Sequence, residues 1–122
     1  MQRILVTGSR TWNNRDLIAY QLGRFVGWEE AEGNKVVIVH GACPTGADFI
    51  ADQIATMAGL NVERHPADWD RYGRQAGFIR NDEMVKLGAG VVLAFIKNNS
   101  RGAMHTADLA DKSGLTVYRW HA

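Results

Sequence analysis

The chain has 122 residues, 46% hydrophobic and 22% charged, which is enough apolar material for one core of ordinary size. A formal net charge of +1 argues against a nucleic-acid or membrane-surface coat, but leaves room for a local anion site. The single cysteine, Cys43, excludes an intrachain disulfide and points to a reducing compartment.

In chain order, residues 3–7 (RILVT) read as a short buried strand, followed by the loop GSRTWNN. From Asp16 to about Trp28, the apolar residues Ile18, Leu22, Phe25 and Val26 recur at helical spacing. KVVIV (35–39) is a β-branched run typical of a strand covered on both faces. The turn HGACPTGAD (40–48) leads into a second helix, where Ala47, Ile50, Ala51, Ile54 and Ala58 follow a core-facing pattern that Gly59 ends. NVERH (61–65) is a third strand, and PADWDRYGRQAG is a long loop with room for a helical turn. Residues 78–87 read as a helix with Met84, Val85 and Leu87 toward the core. GVVLAFI (90–96) is a fourth strand, KNNSRG a loop, 103–112 a further helix and LTVYRW (115–120) the last strand.

This alternation predicts an α/β fold over residues 1–122, a single domain with a parallel sheet and helices on both faces. The apolar run Ile4-Leu5-Val6 is too short for a signal peptide, and 90–96 is too short to cross a bilayer. The expectation is a soluble cytoplasmic protein with no membrane partner.

In open parallel sheets, ligands bind beyond the carboxyl ends of the strands. The loops leaving those ends hold Gly8, Ser9, Arg10, Gly41, Gly46, Asp68, Trp69, Asn98, Ser100 and Arg101, whereas the opposite loops (EEAEGN, GLN, GAG, KSG) are plainer. This asymmetry places a ligand site on the carboxyl edge. In HGACPTGAD, Thr45 is a candidate helix cap, Asp48 lies near a capping-box position, and free N–H groups at the helix start would suit an anion. His40 and Cys43 are too few for a zinc site, so no metal is expected. In AGFIRNDEMVKL (76–87), Arg80 and Asn81 carry a core-facing stripe into polar chemistry. An arginine is costly to bury there unless it meets an acidic partner, such as Asp48 or Asp68, or a ligand anion. Ser100 and Gly102 flank another helix start, a second phosphate cradle with Arg101, for which the plain alternative is a helix capped by Ser100. His105 is either an acid–base group or a surface residue. Trp69 either stacks on a base or pins its loop. Trp12, Trp28 and Trp120 are candidate anchors for a homo-oligomer, with core packing the alternative.

Together VTGSR, VHGACPTGAD, HPADWDRYGRQAGFIRNDEM and NNSRGAMHTADLA resemble the YspA-type, YpsA-related branch of the SLOG superfamily, over roughly residues 3–118. The superfamily also includes the LOG phosphoribohydrolases and the DNA-processing protein DprA. The resemblance implies a Rossmann-like three-layer sandwich with strand order 3-2-1-4-5. It also implies a nucleotide or nucleotide-derived ligand, such as a nucleoside phosphate or an ADP-ribose-like molecule, between the first and fourth strands. By similarity that site draws on Gly8, Ser9, Arg10, Gly41, Ala42, Arg80, Asn81, Ser100 and Gly102, with no cofactor.

LOG enzymes carry an R-x-x-x-M helix, matched here by Arg80 and Met84, and a P-G-G-x-G-T-x-x-E loop, which here reads NNSRGAMHT. Thr106 falls where the glutamate would stand, and a threonine cannot stabilise oxocarbenium charge on a ribose. The candidate catalytic groups are therefore Arg80 with Asp48, Asp68 or Asp108. The leading expectation is a sensing or sequestering module. The alternatives are glycosidic-bond cleavage, or nucleic-acid binding through Arg10, Arg15, Arg71, Arg74, Lys97 and Arg101, which the low net charge disfavours.

Overall fold

A computed structural model describes all of residues 1–122. Five strands form one sheet: β1 (Gln2–Gly8), β2 (Val36–His40), β3 (Asn61–Arg64), β4 (Val91–Ile96) and β5 (Val117–His121). Their order is β3-β2-β1-β4-β5, and every pairing is parallel. The helices are α1 (Arg15–Ala31), α2 (Gly46–Met57), α3 (Trp69–Tyr72), α4 (Ala76–Leu87) and α5 (Arg101–Lys112), with a 3-10 turn at Gly73–Gln75 between α3 and α4. This is the Rossmann-like α/β architecture expected from the alternation and the resemblance.

Side chains alternate across the pleat, so each central strand supplies two cores. Ile4, Val6, Ile38, Leu93 and Phe95 pack under α1 and α2 with Ile18, Leu22, Phe25, Ala47 and Ala51. Leu5, Val37, Val39 and Val92 pack under α4 and α5 with Met84, Val85 and Ala110. Thr7, two residues after Leu5, thus faces α4 and α5 at the carboxyl end of the central strand. The chain leaves β1 toward β2 and β3, then crosses back to β4, so a crevice opens between the ends of β1 and β4.

Some local expectations need correction. Leu87 is 58% exposed, because α4 turns its last residue away from the sheet. Trp12 is buried edge-on against Phe95, and Trp120 stacks on the same ring, so only Trp28 has the exposure an anchor needs. The loop after β3 is mostly helical. Asp68 caps α3 by accepting from Arg71 N, which is why WDRY coils there. No helix is long and apolar enough to cross a membrane.

Candidate functional site

A cavity of about 530 Å³ opens at the β1–β4 crevice, within the size range of pockets that bury small ligands. Its floor is the end of β1 with one face each of α4 and α5, through Thr7, Gly8, Asn81, Met84 and Ala103. Arg10, Trp69, Arg74, Phe78, Lys97, Asn98 and Ser100 surround it, and Cys43, Asp48 and Arg80 close it on the β2 side. Four cationic side chains therefore share the cavity lining with one carboxylate, a local excess of positive charge despite the balanced charge of the chain.

Arg80 is the organised cation. Its Nε donates to Asn81 Oδ1 at 2.7 Å, and its Nη1 donates to the carbonyls of His65 (3.2 Å) and Gly41. These bonds fix the guanidinium plane and leave Nη2 with no protein partner. Burial pulls the Arg80 pKa below its usual value, and Asp48 and Cys43 oppose that pull. The acidic partner expected for Arg80 is thus replaced by carbonyl acceptors, with Asp48 acting at longer range. Gly41 contributes through its lack of a side chain, because a Cβ there would sit 2.7 Å from Arg80 Cζ. Gly41 and Ala42 do not line the cavity themselves. Ala42 has φ +57, held by its N–H donating to His40 Nδ1 at 2.9 Å.

The turn before α2 is filled from within. Cys43 N–H donates to Asp48 Oδ2 at 3.3 Å, and Ala47 N–H donates to the Ser9 carbonyl at 3.2 Å. Thr45 occupies the cap position without a side-chain bond, so neither the predicted cap nor the capping box forms. The protein's own carboxylate takes the place that an external anion would take. Burial raises the Asp48 pKa, and His40, the Cys43 amide and Arg80 oppose the rise. Gly46 lies behind the cavity, with φ +73 and a Cβ position 2.6 Å from Arg10 Cα, so the start of α2 docks on the end of β1. Gly8 serves the same close approach, since a Cβ there would stand 2.6 Å from the Phe95 carbonyl oxygen.

Ser9 borders the cavity, but its hydroxyl is committed. Oγ accepts from Lys97 N–H at 2.7 Å and donates to the Lys97 carbonyl at 3.2 Å. Ser9 therefore clamps the loops after β1 and β4 together and presents Lys97 to the cavity. At the start of α5 the Ser100 side chain makes no cap, and the amides of Arg101, Gly102 and Ala103 find no acceptor in the protein. The Arg101 side chain points away into solvent. Arg10 lies 5.7 Å from the centre of the half-exposed Trp69 ring, which rests over Gly77. His105 stays outside the cavity, packed edge-on against Phe78 and bonded to Asp82.

Of the carboxylates considered for catalysis, Asp68 is spent as the α3 cap and Asp108 pairs with Arg119 on the far side of α5. Only Asp48 reaches the cavity. Thr106, in the position of the LOG glutamate, is fully buried and donates to the Gly102 carbonyl within its own helix. The structure thus brings together Gly8, Ser9, Arg10, Asp48, Trp69, Arg80, Asn81, Ser100 and Gly102, and leaves Gly41, Ala42, Gly46, Asp68 and Arg101 off the wall. Arg74 and Lys97, read from the sequence as part of a basic stripe, line the cavity, and Thr7 and Phe78 are lining residues that the sequence reading missed. For Thr7 a signal existed: strand alternation turns it toward the face of α4 and α5 just where β1 ends.

Comparison with known proteins shows the family of the chain. No solved structure matches the chain. The Gene 61 protein of Mycobacterium phage D29 is 42% identical over 126 aligned positions, which cover 96% of this chain and 94% of that protein. The model of the YspA, cpYpsA-related SLOG family matches residues 2–72, from β1 through α3, and the chain belongs to that family.

Proposed function

We propose that this protein binds a nucleotide or nucleotide-derived ligand in the β1–β4 cavity, as a sensing or sequestering module. The observation that carries this reading is the half-buried Arg80 guanidinium, fixed by Asn81 and two carbonyls, with Nη2 left free among Arg10, Arg74 and Lys97. A pre-oriented arginine loses little freedom when it meets a phosphate or carboxylate. The free amides of α5 add dipolar attraction for the same anion. Trp69, with Arg10 beside it, offers a flat apolar face for a base.

The test is ligand-observed proton NMR with nucleoside monophosphates, nicotinamide dinucleotides and ADP-ribose. Binding broadens ligand signals, and Arg80→Ala weakens it at least tenfold while the melting temperature stays close to wild type. Unchanged affinity in folded Arg80→Ala protein removes Arg80 from the site. A second reading, hydrolysis of the N-glycosidic bond, rests on Asp48, the carboxylate on the wall beside Arg80. Water would add to the anomeric carbon as the base departs with its electron pair and takes up a proton. Free-base signals growing with time in the same spectra mark that activity, and their absence leaves binding alone.

A further inference from the structure

Two polar side chains on the cavity floor are left over by the contacts described above. Thr7 and Asn81 are each only 7% exposed. Asn81 Oδ1 accepts from Arg80 Nε, yet Asn81 Nδ2 has no protein partner, and neither does Thr7 Oγ1. They are not sealed voids, because the enclosed side-chain atoms that lack a partner are Arg3 Nη2 and Gln21 Oε1, both elsewhere. Both residues line the cavity, Thr7 from β1 and Asn81 from α4. Open to the cavity, these two atoms meet only solvent in the free protein, and the polar groups of a ligand can replace that solvent.

The donor set indicates what they meet. Thr7 Oγ1 both donates and accepts, Asn81 Nδ2 donates, and the Asp48 carboxylate on the cavity wall accepts. A phosphate only accepts, and here it would approach a carboxylate. Its seat, in the functional reading, is Arg80 Nη2 with Arg10, Lys97 and the free amides at the start of α5. Hydroxyl groups donate and accept at once, so they fit the mixed floor.

Resting on the nucleotide reading above, we propose that Thr7 and Asn81 form a sugar subsite that selects the 2′,3′-diol of a ribonucleotide, with the phosphate held by Arg80 and the start of α5. Thr7 then determines specificity by bonding a ribose hydroxyl.

The experiment compares nucleoside 5′-monophosphates in ribo and 2′,3′-dideoxy form, by NMR titration of wild type and Thr7→Val. Valine keeps the branched shape of threonine in the strand, and no existing hydrogen bond is lost. In wild type the ribo forms bind at least tenfold more tightly. In Thr7→Val the ribo forms weaken roughly three- to tenfold while the dideoxy forms do not change, as expected for one neutral hydrogen bond. Equal affinity of the two forms for wild type overturns the subsite but leaves nucleotide binding standing, and needs no variant. An equal loss of both forms in Thr7→Val also overturns it. No binding of any nucleotide overturns the functional reading and the subsite together.

Discussion

Gly41 shows how one position acts on the site without touching a ligand. Its carbonyl accepts from Arg80 Nη1, and its bare Cα lets the guanidinium lie against the backbone. Adding a methyl group would put a carbon 2.7 Å from both Arg80 Cζ and Nη1, closer than any real contact. The obstructing group is the end of a side chain bordering a cavity, so it can swing aside with little cost to the fold. Gly41→Ala is therefore expected to behave as a partial Arg80 deletion. Ligand affinity falls about tenfold, while stability drops by only about 1 kcal/mol, because the side chain that must give way borders the cavity. NMR titration and urea unfolding check the two halves separately. A variant that binds normally would show that the guanidinium needs no support from the turn.

The turn is itself held by neighbouring elements. Asp52 on α2 accepts from Arg64 of β3 (2.6 and 3.0 Å) and pairs with His40 Nε2 of β2 at 2.6 Å. The other His40 nitrogen accepts the Ala42 amide, so α2, β2 and β3 are tied to the backbone that carries Gly41. The Arg64 hydrogen bonds, with His40 adding to them, bring the Asp52 pKa from 3.8 down to about 2. A carboxylate whose folded pKa is depressed adds stability above its unfolded pKa, and that stability is lost as pH falls through the folded value. Asp52→Asn should thus cost on the order of 1–2 kcal/mol at pH 7. The difference from wild type should shrink between about pH 4 and pH 2. Urea unfolding at several pH values measures it, and a penalty independent of pH would mean that lost packing, not charge, is responsible. None of this network was visible in the sequence. His40 and Cys43 read as neighbours in a turn, whereas their working partners, Asp52 and Asp48, are set by the return of α2 over the strand ends. The helix itself was legible, because its alanine and isoleucine spacing allows only one face to be buried.

Element order, and most of the site, could be read from local pattern. β-Branched runs alternate with helical stripes, and glycine, serine and arginine gather on one sheet edge. What could not be read was the use of each residue, because that depends on groups distant in the chain. Ser9, expected to hold a phosphate, spends its hydroxyl on Lys97. Lys97 and Arg74 look like parts of a scattered basic surface, but the fold directs them with Arg10 and Arg80 into one cavity. That focusing changes what salt should do. The rim cations are solvent-accessible and screened over about 10 Å at 0.1 M salt, whereas Arg80 is half-buried and screened less. Affinity for a nucleoside monophosphate is therefore expected to fall roughly three- to fivefold between about 50 mM and about 200 mM salt, and less steeply in an Arg10→Ala, Arg74→Ala double variant. A protein neutralising many backbone phosphates loses about 10³-fold or more over that interval. Titration calorimetry of the monophosphate, run beside a gel shift with single-stranded and duplex DNA, separates the two regimes. Tight, steeply salt-dependent DNA binding with no monophosphate affinity would turn the four cations outward as a nucleic-acid surface. A shallow slope with the monophosphate alone would make them the walls of a small-ligand site.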